Sequence, residues 1–388
     1  MDIWYPQQIL TEQGVRITEA ERQIILGKMP PPAGDGHIYA DGVFEGGGVR
    51  GIAFLGALRC CADLGLHWRK LAGTSAGAIT AALMAANLSM DELEQTLGTM
   101  DYKGLFLGKK TSPLILNGNP ANDLQFPWWM VLCLAISGQN GQYSLNFFQS
   151  WLTEKLASVG VSTFADVKAR GRGKDLKVVV SDVTRGQMLV LPDDLSRHYR
   201  ANESTLLEEL GLDRAEDLSV AEAVRLSLSI PLFFEPGQLG SSAIVDGGVL
   251  SNFPLWIYDV KSSGMSKRPP RWFTFGFRFV DEALNREYNV KGPLSLMSAT
   301  IRTMAVARDR YHLREADSNR VIEIDVSEAK IGTTDFDLSL KKRLQLYLLG
   351  YKYTKKFFLS PAFSWPDHLI SRGFSPEETS YNDLTAMG

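Results

Sequence analysis

Gly73-Thr74-Ser75-Ala76-Gly77 lies between two runs of different periodicity. A short strand-like run, Trp68–Ala72, precedes it, and an apolar run typical of a helix, Ala78–Ala86, follows. Ser75 is therefore predicted to lie on a sharp strand-to-helix turn, whose strained backbone brings the residues two before and two after the serine together. Glycine at both of those positions avoids a collision of Cβ atoms. The alternative is an ordinary helix N-terminus capped by Ser75, and these five residues alone leave both interpretations open.

A second glycine-rich turn lies upstream of the strand-to-helix turn Gly73–Gly77, which we call the serine elbow. The strand-like run 37–44 leads into Glu45-Gly46-Gly47-Gly48-Val49-Arg50-Gly51, and an apolar helix, 52–64, follows. Such a turn attracts anions, because backbone N–H groups converge there and the helix dipole adds partial positive charge. Three interpretations are open: a dinucleotide fingerprint, a tight turn without a ligand, and an oxyanion hole. We favour the oxyanion hole, in which the N–H groups of Gly46, Gly47 and Gly48 receive the oxygen of a tetrahedral intermediate formed on Ser75.

A third motif, Asp246-Gly247-Gly248, follows the short apolar strand 243–245. Asp-Gly-Gly is common in turns, so the motif alone predicts only a turn. Beside a serine elbow and a triple-glycine loop, Asp246 becomes the candidate for the base that takes the proton from Ser75.

Arg50 lies inside the glycine loop. Its guanidinium could bind a lipid phosphate or an acidic group through two hydrogen bonds, or it could brace the loop, which is the role we favour. The remaining residues assigned a supporting role in the three motifs are Gly51, Gly73, Gly77, Gly247 and Gly248.

In this order, the three motifs resemble those of the patatin-like phospholipases. The linking phrases Ser181-Asp182-Val183-Thr184-Arg185-Gly186 and Ser229-Ile230-Pro231-Leu232-Phe233-Phe234 share the resemblance, which covers roughly residues 37–260. It implies a three-layer α/β/α sandwich with a central, mainly parallel sheet and helical additions. It also implies a Ser75–Asp246 dyad without histidine, and hydrolysis of acyl esters of membrane lipids. Glu45 stands where the family more often has Asp.

The resemblance suggests three parts. Residues 1–36 form an N-terminal extension, residues 37–260 the catalytic domain, and residues 261–388 further strands and helices packed on it. The stretch of about 100–143 contains an uncharged run, Phe126–Ile136, which is too short to span a bilayer. Two interpretations are open: a buried core helix, or a lid over the site whose Trp128 and Trp129 contact lipid.

The composition limits the classes of partner. The net charge of −3 argues against a nucleic-acid partner. The three cysteines lack metal-ligand spacing, and no EF-hand loop or His cluster is present in the sequence, so neither a metal nor another cofactor is expected. With no signal peptide or run of about 18 apolar residues, a cytoplasmic location with peripheral contact at a membrane is expected. Cations on the helical run 338–358 indicate either a solvated face or a surface that docks on anionic membrane.

Three functions compete. The first is a lipid acyl hydrolase of phospholipase A or lysophospholipase type, acting in lipid degradation on phospholipid or lysophospholipid. The second is an α/β-hydrolase carboxylesterase with a Ser-Asp-His triad, for which His312 or His368 would have to serve. The third is a non-catalytic nucleotide-binding or interaction module in which Ser75 is only a helix cap.

Overall fold

The computed structural model describes residues 4–107, 141–170, 174–198, 204–259, 270–280, 303, 317, 319–371 and 374. The strands are β1 (Ile38–Phe44), β2 (Leu66–Thr74), β3 (Gly141–Tyr143), β4 (Asp175–Asp182), β5 (Gln187–Leu191), β6 (Leu232–Phe234), β7 (Gly237–Leu239), β8 (Ser242–Asp246), β9 (Thr274–Val280) and β10 (Val321–Asp325). The helices are α1 (Pro6–Glu12), α2 (Glu19–Leu26), α3 (Ile52–Asp63), α4 (Ala76–Ala85), α5 (Met90–Gly98), α6 (Tyr102–Leu107), α7 (Asn146–Ser158), α8 (Phe164–Arg170), α9 (Leu206–Glu209), α10 (Val220–Ser227), α11 (Leu340–Leu359) and α12 (Trp365–Ser371).

A central sheet organises these elements. Within the described ranges its strand order is β10-β9-β1-β2-β4-β8-β7, with β5 also paired to β4. The five strands from β10 to β4 are parallel neighbours, whereas β5, β7 and β8 add antiparallel pairs. The predicted α/β fold with a central, mainly parallel sheet and helices around it is confirmed.

Both faces of the sheet are covered, as neighbouring residues of β1 illustrate. Phe44 stacks on Phe277 with ring centroids 4.9 Å apart and packs against Phe54 of α3, in the larger core. Val43 belongs instead to a smaller cluster with Phe253. Because successive side chains of a strand point to opposite faces, the two residues anchor opposite layers. Strands β1 and β4 are accordingly buried along most of their length, on both faces of the sheet.

Residues beyond 260 complete this core. Strand β9 pairs in parallel with β1, and β10 pairs in parallel with β9, so both belong to the same sheet as the elbow. Helix α11 crosses α3 at two glycines: a Cβ on Gly56 would lie 1.8 Å from the Tyr347 carbonyl oxygen, and one on Gly350 would lie 1.8 Å from the Ala53 carbonyl oxygen. The two backbones therefore touch without intervening side chains.

This crossing predicts the effect of a single methyl group. Gly350→Ala should lower the free energy of unfolding by roughly 1–3 kcal/mol, because the added Cβ must push α11 away from α3. Denaturant unfolding of the two proteins measures the change. Gly34→Ala is the matched control, since a Cβ there meets no atom of the described residues within 4 Å. Equal stability of the Gly350 and Gly34 variants would contradict the close crossing.

Two cations of α11 hold the helix to its neighbours. The Arg343 guanidinium donates to the carbonyl oxygens of Gly98 (3.1 Å) and Met100 (2.9 Å), at the end of α5. The Lys355 amine lies 2.8 Å from the Glu21 carboxylate of α2. These contacts give the two residues a structural role. Both side chains are therefore engaged within the protein, and the hypothesis of a basic surface that docks on anionic membrane has to rest on the other cations of the helix.

Two expectations concern the contact with a membrane. Trp128, Trp129 and the rest of residues 108–140 lie outside the described residues, so the lid hypothesis stays a prediction. Among the helices of the described ranges, none combines the length and the apolarity needed to cross a bilayer.

Candidate active site

Ser75 lies at the turn between β2 and α4, with φ 52° and ψ −122°. A non-glycine residue in this region is strained and persists only where its surroundings enforce it. The flanking glycines explain how the turn closes. A Cβ on Gly73 would lie 2.3 Å from the carbonyl of Gly77, and a Cβ on Gly77 would lie 2.3 Å from the Phe44 carbonyl oxygen. Only glycine at both positions allows this close approach.

The register of β4 brings the elbow and the Asp246 turn together. Thr74, the last residue of β2, pairs with Val179, and Asp246, the last residue of β8, pairs with Val180. Successive residues of one strand therefore deliver the two motifs to the same place, although 171 positions separate Ser75 from Asp246 in the sequence.

The Ser75 hydroxyl lies near enough to the Asp246 carboxylate to lower the pKa of that group. The carboxylate accepts from the Gly248 N–H at 2.7 Å, and the Asp246 N–H donates to the Ser229 carbonyl oxygen at 2.8 Å. Burial raises the pKa of Asp246 from 3.8 to about 6, against the lowering effect of the nearby Ser75 hydroxyl and the Gly248 N–H. Desolvation disfavours the charged form, which makes this carboxylate more basic than an exposed one.

The glycine loop passes close to the elbow. A Cβ on Gly46 would lie 3.2 Å from the Cβ of Ser75. The Gly46 N–H already donates to the Asn252 carbonyl oxygen at 3.0 Å. The N–H groups of Gly47 and Gly48 have no acceptor within the described part of the chain. Of the three donors expected from the sequence, Gly47 and Gly48 are thus the two whose N–H groups remain available to a bound oxygen.

Asn252 and Glu45 hold the base of this loop. The Asn252 side-chain amide donates to the Gly46 carbonyl oxygen (3.1 Å) and to the Glu45 carboxylate (3.3 Å). The second oxygen of that carboxylate accepts from the Phe279 N–H of β9 at 2.6 Å. The acidic residue before the glycines therefore ties three chain segments together. Sequence reasoning assigned Asn252 no role, because only its position just after the Asp-Gly-Gly turn could have pointed to it.

The segment around residues 331–333 packs against the glycine loop. The Thr333 carbonyl oxygen accepts from the Val49 N–H at 3.1 Å and lies 1.8 Å from where a Cβ on Gly48 would be. Gly48 also has φ +56°, a conformation that favours glycine. The buried Arg50 donates from Nε to the Ile331 carbonyl oxygen at 2.8 Å. This bond supports the bracing role that we favoured for Arg50.

The other supporting glycines are also closely packed. A Cβ on Gly247 would lie 2.2 Å from the Val179 carbonyl oxygen, so the turn after Asp246 packs directly on β4. A Cβ on Gly248 would lie 2.7 Å from the Asn252 side-chain oxygen, and one on Gly51 would lie 3.2 Å from the Cβ of Ala76. Each of these glycines therefore leaves too little room for a larger side chain.

His368 lies away from this site. Its ring is buried on α12, with Nδ1 3.3 Å from the Asn319 side-chain oxygen, and it packs on Phe273. Phe273 immediately precedes β9, whereas the glycine loop follows the opposite end of the parallel strand β1. His368 therefore lies near the amino ends of the parallel strands, whereas Ser75 follows the carboxyl end of β2. His312, the other histidine considered for a triad, lies outside the described residues.

Known proteins resemble this chain at several levels. The family model for the patatin-like phospholipases matches residues 42–258. The uncharacterized protein YqhO of Bacillus subtilis is 35% identical over 324 residues, which cover 82% of this chain and 98% of YqhO. An uncharacterized NTE family protein of Mycobacterium tuberculosis is 26% identical over 212 residues, which cover 55% of this chain and 27% of that protein.

Among solved structures, VipD from Legionella pneumophila aligns with a TM-score of 0.45 at 15% identity, covering 85% of this chain and 69% of VipD. The type III effector ExoU aligns with a TM-score of 0.38 at 17% identity, covering 85% of this chain and 53% of ExoU. The family match spans more than half of the chain, and the match to YqhO spans nearly all of that relative. The chain therefore belongs to the patatin-like phospholipase family, whose members are lipid acyl hydrolases.

Proposed function

We propose that this protein is a lipid acyl hydrolase of phospholipase A or lysophospholipase type. It cleaves carboxylic esters of membrane lipids, with Ser75 as nucleophile and Asp246 as general base. The observation that carries the proposal is the juxtaposition of the Ser75 hydroxyl, on a strained strand-to-helix turn, and the buried Asp246 carboxylate, which successive residues of β4 bring together. A serine hydroxyl needs an adjacent base to become a competent nucleophile, and this carboxylate is within reach of its proton.

In the proposed reaction, Ser75 Oγ attacks the ester carbonyl carbon while its proton passes to Asp246. The resulting oxyanion is received by the N–H groups of Gly47 and Gly48. Collapse of the tetrahedral intermediate breaks the bond to the alcohol, which leaves with the proton returned by Asp246. Water then attacks the acyl-serine with Asp246 again accepting the proton. The second collapse releases the fatty acid, and Asp246 returns the proton to Ser75 Oγ, which restores the hydroxyl.

Two features of the site suit this chemistry. A carboxylate whose pKa is raised to about 6 is a stronger base than one with the ordinary value of 3.8, and it is still mainly ionised near neutral pH. Helix α4 begins directly after Ser75 and runs for 10 residues, so its N-terminal partial positive charge adds to the stabilisation of the oxyanion. The proposed steps use no metal ion.

The direct test is product analysis with the purified protein. Vesicles of a diacyl phospholipid and micelles of the matching lysophospholipid are incubated with the protein, and the lipids are separated by mass. We expect free fatty acid, with lysophospholipid from the first substrate and the glycerophosphodiester from the second. Ser75→Ala is the control for spontaneous hydrolysis. Release of the head group without fatty acid, or equal fatty-acid release by the variant, would refute the proposal.

A further inference from the structure

Ser227, the last residue of α10, is fully buried behind the elbow. Its Oγ accepts a hydrogen bond from the Ser75 N–H at 2.9 Å and donates one to the Val179 carbonyl oxygen at 2.7 Å. An amide N–H can only donate and a carbonyl oxygen can only accept, so the two partners fix the orientation of this hydroxyl. The Ser227 side chain therefore links the backbone of Ser75 to β4.

This hydrogen bond acts on the strained residue itself. Ser75 follows the end of β2 and precedes α4, so neither the strand ladder nor the helix supplies an acceptor for its N–H. Its backbone at φ 52° needs constraints from outside the turn to remain there. Without the Ser227 hydroxyl, the buried Ser75 N–H would lose its acceptor, and rotation of the preceding peptide would relax the strain.

The same end of α10 also holds the proposed base. The Ser229 carbonyl oxygen accepts from the Asp246 N–H at 2.8 Å. The Val179 carbonyl oxygen that accepts the hydrogen bond from the Ser227 hydroxyl lies against Gly247, the residue after Asp246. Residues 227–229 are therefore bonded to the nucleophile turn on one side and to the base turn on the other.

We propose that Ser227 is a positioning residue for hydrolysis. Its hydroxyl holds the Ser75 backbone so that Ser75 Oγ remains within reach of the Asp246 carboxylate. This inference rests on the proposed function, since it assigns a task within the same dyad. Ser227 touches no substrate atom in this account. Its effect on hydrolysis comes only from raising the fraction of molecules in which the Ser75 backbone has the strained conformation.

Replacement of the hydroxyl should therefore lower turnover without changing substrate affinity. For Ser227→Ala we expect kcat on a short soluble ester to fall roughly 10- to 100-fold, because loss of a buried acceptor depopulates the competent elbow by a factor of that order. KM should stay within about twofold, and Ser227→Thr, which keeps a hydroxyl, should recover most of the lost kcat.

Ser242→Ala is the matched control. Ser242 is equally buried, and its hydroxyl also bonds on two sides, accepting from Arg185 at 2.7 Å and donating to the Asp182 carboxylate at 2.8 Å. This control should lose thermal stability to a similar or larger extent while keeping kcat. If kcat falls in both variants in proportion to stability, the role of Ser227 is only structural and the inference is wrong.

Crystal structures and the rate of Ser75 labelling by a fluorophosphonate complete the test. We expect the Ser75 backbone of Ser227→Ala to have left φ 52° and labelling to slow in parallel with kcat. An unchanged elbow with unchanged labelling would overturn the positioning role even if hydrolysis is real. If the parent protein neither labels nor hydrolyses esters, the proposed function fails, and the backbone comparison alone still decides whether Ser227 holds the turn.

Discussion

Ser75→Ala is expected to lower kcat for ester hydrolysis by roughly 10³- to 10⁶-fold, the range typical of removing the nucleophile from a serine hydrolase. The loss should appear equally on vesicles and on a short soluble ester, because the variant lacks the attacking oxygen rather than a lipid contact. Initial rates of fatty-acid release measure it. The fold should survive, since alanine and serine tolerate the strained turn about equally.

Thr80→Ala is the control in the same helix. The Thr80 hydroxyl is buried in α4 and donates to the Ala76 carbonyl oxygen at 3.3 Å, which is none of the bonds described for the elbow, so its removal leaves those bonds intact. This variant should keep most of its activity. Residual activity of Ser75→Ala within tenfold of the parent protein, in a folded sample, would show that another group is the nucleophile.

Asp246→Asn should have the second largest effect, a loss of roughly 10³-fold or more in kcat, because an amide cannot accept the serine proton. In the parent protein, kcat/KM should rise with pH through about 6 and then level off, as the pKa of Asp246 is raised to about that value by burial. Whatever activity remains in Asp246→Asn should lack this rise. A parent profile that is flat between pH 5 and pH 7 would contradict the role of base.

The same substitution should stabilise the protein above pH 6. Below pH 3.8 the carboxyl is protonated in both the folded and the unfolded chain, so its burial carries no charge penalty. As pH rises from 3.8 to about 6, the unfolded chain ionises first and folding stability falls, at about 1.4 kcal/mol per unit of pKa difference. Asparagine removes this cost, so the gain in Tm over the parent should be larger at pH 8 than at pH 4.5.

Asp41 provides the matched control for both effects. It is also buried, and burial raises its pKa from 3.8 to about 6, but it lies in β1 and accepts from the Lys70 N–H at 3.0 Å. Asp41→Asn should therefore show the same kind of pH-dependent change in Tm while keeping hydrolysis. Loss of hydrolysis in both variants would trace the defect to the buried charge in general and not to Asp246 as base.

Local patterns in the sequence were sufficient for the elements of the central sheet. The strand-like runs 37–44 and Trp68–Ala72 predicted β1 and β2, and the helical runs predicted α3, α4 and α11, because each signal lies within one element. Short strands such as β6 and β7 were missed, since three residues carry too little periodicity to read. The need for glycine at position 73 was readable because its cause, a close approach to Gly77 within one turn, is local as well, whereas Gly77 also approaches Phe44 of β1.

The supports of the candidate site were not readable in the same way. Glu45 meets the Phe279 N–H across 234 positions, and Val49 meets the Thr333 carbonyl oxygen from a segment that carries no motif. Both bonds depend on backbone groups, which every residue has, so no residue type marks them in the sequence. The Gly46 N–H was expected to face an oxyanion for the same reason: nothing local shows that the Asn252 carbonyl oxygen already accepts from it.

The central claim, that Ser75 is a nucleophile activated by Asp246, is tested most directly by mapping a fluorophosphonate adduct by mass spectrometry. The parent protein should carry one adduct, on the peptide that contains Ser75. In folded Asp246→Asn, the rate of that labelling at pH 8 should fall at least about 100-fold, because the base is gone. An adduct on a different serine, or equal labelling of Ser75 in both proteins, would contradict the account.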